Sequence, residues 1–180
     1  MRRSWKVALG AVLVLALAGA VLLVPLDGGE TKIVTAVDIA RPPADVYAYV
    51  TTPGNWPKWH PSSLAVSGAV DHPLDVGETV VEDFQVAGRR GKVTWRVAAR
   101  AAARQWRIVG NIEGRDAGVV TYTLDPIAAG THFVREFDYR APNLMFALLN
   151  RLSLRGRIEA ESTQAVWQLK ARLEAPAGQG

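Results

Sequence analysis

The chain has 180 residues, 49% of them apolar, with 21 Lys and Arg against 17 Asp and Glu for a net charge of +4. That is enough apolar material for one domain with a real core, and it excludes a disordered or fibrous chain. Three of the basic residues, Arg2, Arg3 and Lys6, precede the first apolar run, and without them the balance is 18 to 17, which leaves nucleic-acid binding without an electrostatic footprint. The absence of cysteine excludes disulfides, thiolate metal sites and cysteine nucleophiles together.

Val7 to Val24 are eighteen consecutive residues that are all Val, Ala, Leu or Gly, closed by Pro25. At about 1.5 Å per residue such a helix reaches about 27 Å, near the roughly 30 Å of a hydrocarbon core. The expectation is a membrane anchor over residues 1–25, spanning through residues 7–24, with Trp5 at the interface. Basic residues before the run and none directly after it put the amino terminus inside and the rest of the chain on the extracytoplasmic side. A cleaved signal peptide ending near Ala18-Gly19-Ala20, and hence a secreted protein, is the alternative; the apolar continuation through Val21 to Val24 favours the anchor. Residues 26–31, with Asp27-Gly28-Gly29-Glu30, read as a flexible linker, and the domain proper as residues 32–174.

From Lys32 the pattern alternates, with Ile33, Thr35, Val37 and Ile39 on one side, and this predicts a strand. Pro42-Pro43 ends it and opens a short helix carrying Val46, Tyr49 and Val50, stopped by Thr51-Thr52-Pro53-Gly54. Asn55-Trp56-Pro57-Lys58-Trp59-His60-Pro61 follows. Its prolines exclude a strand or long helix, which leaves a stiff loop or single turn whose aromatic surface closes over a core or a ligand. Strands are expected at about Leu64 to Ser67, Glu78 to Val86, Lys92 to Arg100, Gln105 to Glu113, Val119 to Asp125 and Thr131 to Arg140, joined by short turns as an antiparallel meander.

Asn143 to Glu174 is helical. Ile158, Ala165, Val166, Leu169 and Leu173 form one stripe, whereas Leu144, Met145, Phe146, Leu148, Leu149, Leu152 and Leu154 wrap nearly the whole circumference, with Gly156 as a possible bend and 175–180 as a tail. A meander followed by one long helix makes an α+β domain in which the sheet curls around the helix to cover its stripe.

These residues resemble a known family. Ile39-x-Arg41-Pro42-x-x-x-Val46-x-x-Tyr49-Val50, Asn55-Trp56-x-x-Trp59-x-Pro61, Gly77, Trp95, Trp106, the Gly130-Thr131 pair and the terminal helix are similar to the START-like superfamily, also called SRPBCC or Bet v 1-like, and among it to the polyketide cyclase/dehydrase-like members. The resemblance covers residues 32–174. It implies a helix-grip fold, a curved antiparallel sheet around a long C-terminal helix, with an apolar cavity between them that takes a lipid or other hydrophobic small molecule.

Candidate chemistry is sparse. His60, His72 and His132 lack metal-ligand spacing, and GxSxG, P-loop and GxGxxG motifs do not occur, so neither a metal nor a cofactor is expected. His60 is the best acid/base candidate, with a backbone-bonded loop histidine as the plainer reading. In the strand His132 to Tyr139, alternation sets Val134, Glu136 and Asp138 opposite Phe133, Arg135, Phe137 and Tyr139. If Glu136 or Arg135 faces inward, a partner or a polar ligand group must hold it; a surface pair is the plainer reading. Trp95, Trp106 and Tyr122 read as core or cavity wall, core filling being the plainer reading, and Leu144, Leu148 and Leu152 as a lid facing a rim of Trp56, Trp59 and His60. The leading expectation is a membrane-tethered binding or transfer module for a hydrophobic molecule. The alternative is a cyclase-, aromatase- or dehydratase-like enzyme using His60, Glu136 or Tyr139.

Overall fold

The computed structural model describes residues 29–176 and, before them, residues 10, 12–13, 15–17 and 19–25. Seven strands form a single antiparallel sheet: β1 (Glu30–Ile39), β2 (Ser63–Gly68), β3 (Thr79–Val86), β4 (Arg89–Ala101), β5 (Gln105–Ile112), β6 (Arg115–Ile127) and β7 (Gly130–Arg140). Their order across the sheet is β1-β7-β6-β5-β4-β3-β2, a meander whose last strand returns beside the first. Helix α1 (Pro43–Thr51) and a 3₁₀ turn (Pro53–Lys58) link β1 to β2. After β7 come α2 (Leu144–Leu149), a π-helical turn (Asn150–Leu154) and the long α3 (Arg155–Glu174). The α+β helix-grip architecture is therefore present, with α3 lying along β1.

Alternation makes the strands, and pairing extends them past the expected ends. The β3–β4 and β5–β6 hairpins close on Ala87-Gly88 and Glu113-Gly114, with φ of 49° and 82°, and 51° and 82°. Two successive positive φ values are the signature of the type I′ turn, which suits the twist of an antiparallel pair. The turns are thus only two residues long, and the strands run closer to them than the spacing suggests. Bulges at Ser63/Ala65, Val97/Ala99 and Gly110/Asn111 add the local bend a sheet needs to wrap a helix. Gly130, at φ 141°, begins β7 where a Cβ would strike the carbonyl of Ile39 and the amide of Arg41, so only glycine lets β7 approach the end of β1.

Two apolar clusters occupy the inner face. The larger contains Trp56, Trp59, Trp106, Tyr122, Phe133 and, from α3, Ala165, Val166 and Leu169. The smaller contains Ile33, Tyr139 and Ile158, with Phe146 packed against it. β7 runs from Phe133 to Tyr139 while α3 runs the opposite way, from Ile158 to Leu169. The gripped space therefore has a tryptophan end and a lid end.

The amino-terminal run lies partly outside the described residues. Among those described, 10, 12–13, 15–17 and 19–22 are helical, Val12, Leu13, Leu15, Leu17, Val21, Leu23 and Val24 are exposed, and no helix is long and apolar enough to cross a membrane. Pro25 forms an isolated antiparallel bridge with Asn143. Of the linker and the tail, 26–28 and 177–180 are outside the described residues.

Candidate ligand-binding site

The first part of the tryptophan motif forms the end of the 3₁₀ turn, with Pro57 inside it and Trp59 as its C-cap, and His60 and Pro61 follow it. Trp56 donates its indole N–H to the Val50 carbonyl at 2.9 Å and meets Trp106 edge-on at 6.1 Å. Trp59, only 1% exposed, meets Tyr122 edge-on at 6.3 Å, and Tyr122 stacks on Trp106 at 5.4 Å. These rings plug the tryptophan end of the space. They are not a rim facing Leu144 to Leu154: Trp56 and Trp59 pack with the second half of α3, and the lid packs with the other cluster. Trp95 lies one hairpin away, its ring over Gly110, where a Cβ would come within 2.7 Å of it.

Arg135 faces inward from the middle of β7 and is 6% exposed. Its Nη1 donates to Ser162 Oγ of α3 at 3.1 Å, its Nε has no partner, and the phenol of Tyr122 borders the guanidinium. Among the described residues no carboxylate makes an ion pair with it. The nearest influence of opposite sign is Glu82, inward on β3, whose Oε2 accepts the Trp95 indole N–H at 2.7 Å. Burial raises the Glu82 pKa, against the pull of the Ser63 hydroxyl, the Trp95 indole and the Arg135 charge. Burial likewise pushes the Tyr122 phenol up to about 12.

His60 borders the same layer. Its Nδ1 accepts the Ser62 amide at 3.3 Å, which assigns the proton to Nε2, and Nε2 is buried without a partner. Burial, and then the Arg135 charge, hold its pKa well below the ordinary value, so the ring is neutral. The Trp59 indole N–H is also buried and unpartnered. Arg135, Ser162, Glu82 and His60, with the Tyr122 phenol of the larger cluster, thus make a buried polar layer, while Phe137 packs against both apolar clusters.

The other candidates lie elsewhere. Glu136 is on the outer face, 3.1 Å from Lys32, because the β1–β7 register sets it beside the neighbouring solvent-side strand position. This removes it from any interior chemistry. Tyr139 is inward but lies four residues, about 13 Å, beyond Arg135 along β7, and its hydroxyl donates to Asn150 Oδ1 at 2.6 Å. Asn150 Nδ2 in turn donates to Thr31 Oγ1 at 3.0 Å. His60, Glu136 and Tyr139 therefore do not form one catalytic group. Of the lid leucines, Leu144 is half-buried, while Leu148 and Leu152 are 46% and 80% exposed and do not line the interior.

An open groove of about 420 Å³ lies at the β2–β3–β4 edge, lined by Leu64, Ala65, Phe84 and the Asp83–Lys92 pair among others. It is not the space between helix and sheet, whose tryptophan end is filled by side chains. Among the described residues no group of His, Asp or Glu is arranged to hold a metal ion.

Glu82, Ser162 and Asn150 were not anticipated from the sequence. Two of them had a signal: Glu82 interrupts the inward series Val80, Phe84 and Val86, and Ser162 interrupts the helix stripe between Ile158 and Ala165.

A long helix gripped by a curved antiparallel sheet is the architecture of the SRPBCC or Bet v 1-like class. Within it the chain belongs to the family described as polyketide cyclase/dehydrase and lipid transport, whose model matches residues 30–174. That membership points to hydrophobic ligands or cyclase-like chemistry. No curated protein matches the chain. Similar solved structures include a protein from Mesorhizobium loti, 21% identical, covering 80% of this chain and 97% of its own, with a TM-score of 0.58. Another, from Rhodobacter sphaeroides, is 20% identical over 83% of this chain and 95% of its own, with a TM-score of 0.60. DynU16, a protein of the dynemicin biosynthetic locus, is 18% identical over 80% of this chain and 47% of its own, with a TM-score of 0.56. At these identities the likeness is one of fold.

Proposed function

We propose that this protein is a membrane-tethered carrier that holds a hydrophobic or amphipathic small molecule between α3 and the sheet and exchanges it at the lid end. The observation that carries the reading is the state of the lid. Helix α2 contains no buried residue, and Met145, Leu148, Leu149 and Leu152 are exposed together above the cluster of Ile33, Tyr139 and Ile158. An apolar segment that caps an interior without being buried by it has a second apolar partner.

The bilayer is the partner favoured by the neighbouring chain. Pro25, where the apolar run ends, bridges Asn143, whose side chain caps α2 by accepting the Phe146 amide at 2.8 Å. Arg151, Arg155 and Arg157 are exposed around the lid, and no acidic residue occurs between Asp138 and Glu159. An apolar face ringed by arginines suits an anionic membrane surface.

Native mass spectrometry of the full chain, extracted from host membranes in mild detergent, tests the carrier reading. One hydrophobic molecule per chain, released by organic solvent, is the expected result. A bare chain in every preparation, with no uptake of added lipid, rejects it.

The cyclase-like reading keeps one observation, the buried neutral His60 with an unpartnered Nε2 beside Arg135. A group so placed could move a proton in an apolar site. Under that reading His60→Ala abolishes turnover of a polyketide-like substrate while ligand uptake persists.

A further inference from the structure

Arg135 sits at mid-depth in the gripped space, and its situation is electrostatically incomplete. A guanidinium stays protonated under all ordinary conditions. Removing an ion from water costs several kcal/mol unless a partner of opposite charge and further hydrogen bonds replace the solvent. Here the replacement is partial: Ser162 takes Nη1, Tyr122 and the Phe137 ring, 5.6 Å from the guanidinium carbon, border it, and Nε donates to nothing. Glu82 is not in contact, and its own burial favours the neutral acid.

A second donor near this charge is equally unsatisfied: His60 Nε2 is buried without a partner, and the Arg135 charge is felt at its ring. Buried donors in folded proteins are almost always paired, so two orphans at one unneutralised cation indicate a missing acceptor. A hydroxylated or ketonic ligand would satisfy a donor and leave the charge. A doubly charged phosphomonoester would bring more negative charge than the one cation offsets. A single oxyanion meets both needs, and the Nε edge of a guanidinium accepts a carboxylate in the two-point manner.

We propose that the interior binds an amphiphile with a carboxylate head, of the long-chain fatty acid type, seated on the Arg135 guanidinium with its chain running toward the lid. The inference rests on the carrier reading above and adds the head group to it. The direction follows from the two ends: aromatic rings fill the space beyond Phe133, whereas the lid side is held by the smaller cluster of Ile33, Tyr139 and Ile158, with the partly buried Val86, Phe137 and Phe146 against it.

The test uses the full chain in mild detergent and two probes of equal length, hexadecanoate and hexadecanol, with tryptophan fluorescence as the readout. The unmodified protein should bind the acid at least about tenfold more tightly than the alcohol, the order expected for one charge-assisted contact. Arg135→Gln should remove that preference and leave alcohol binding unchanged, and Arg135→Lys should restore part of it. Equal binding of acid and alcohol by the unmodified chain overturns the head-group inference and leaves the carrier reading standing. Failure of both probes to bind overturns both. The comparison of probes on the unmodified chain needs no variant, so a poorly folding Arg135 substitution does not decide the matter.

Discussion

The two ends of the gripped space are built on opposite principles. At the tryptophan end, Trp59, Trp106 and Phe133 are essentially inaccessible, and the carboxy-terminal half of α3 is tied down from several sides. Glu174 Oε1 accepts the Ala40 amide at 2.7 Å, Arg41 Nε donates to the Leu173 carbonyl at 2.7 Å, and Lys170 Nζ donates to the Asp38 carbonyl at 2.6 Å. In the amino-terminal half of α3, Glu161 accepts the Ser62 hydroxyl and the Ala87 amide at 2.9 Å each. At the lid end a single polar chain, Tyr139 to Asn150 to Thr31, holds the π turn, and α2 buries nothing. The contrast teaches where stability and where motion reside. Low-burial segments with few hydrogen bonds open first, and a π turn between helices is a frequent site of such adjustment.

Substitutions should separate the ends, and the largest effect belongs to the plug. Trp59→Ala should destabilise the domain by about 3–5 kcal/mol in chemical denaturation, the range for deleting a buried aromatic ring. A loss below about 1 kcal/mol would mean the end is not a packed core. Asn150→Ala comes next, at about 1–3 kcal/mol, since it leaves the Tyr139 hydroxyl and Thr31 without their partner. Its distinctive mark is faster amide exchange in 144–157 with no change around Trp56. Leu148→Ser with Leu152→Ser should shift the unfolding midpoint least, within about 0.5 kcal/mol per site. The same pair should slow delivery of bound ligand to anionic vesicles several-fold.

The polar layer between the ends has a pH signature. Burial holds His60 below its ordinary 6.5, so as pH falls the unfolded chain takes up that proton first. Stability is therefore lost on the acid side of 6.5. Glu82 has the opposite sign: its folded pKa is raised above 4.5, so its contribution is complete below 4.5 and fades as pH rises through the raised value. His60→Gln should flatten the acid-side fall in Tm, and Glu82→Gln should steepen it. Parallel Tm profiles for the two variants would show that neither group is buried as described.

Much of the fold was readable because it depends on local periodicity. The alternation of Ile33, Thr35, Val37 and Ile39, and the stripe from Ile158 to Leu173, each require only that one face be buried. Arg135 was readable in conditional form, as a charge needing a partner if it faced inward. The pairing of Glu136 with Lys32 was not, because it depends on the β1–β7 register. The partner of the tryptophan motif was also out of reach: sequence shows that such a loop covers something, and only the antiparallel run of α3 against β7 decides which end it covers. The helix break falls at Asn150 rather than at Gly156, since it is made by side-chain bonds to residues distant in sequence.

Hydrogen exchange of the full chain with and without saturating hexadecanoate addresses the central claim, a ligand under the lid seated on Arg135. The account predicts slower exchange across 144–158 and along 133–139 of β7, with 46–59 unchanged. Protection confined to the tryptophan turn, or no protection anywhere at saturation, would contradict it.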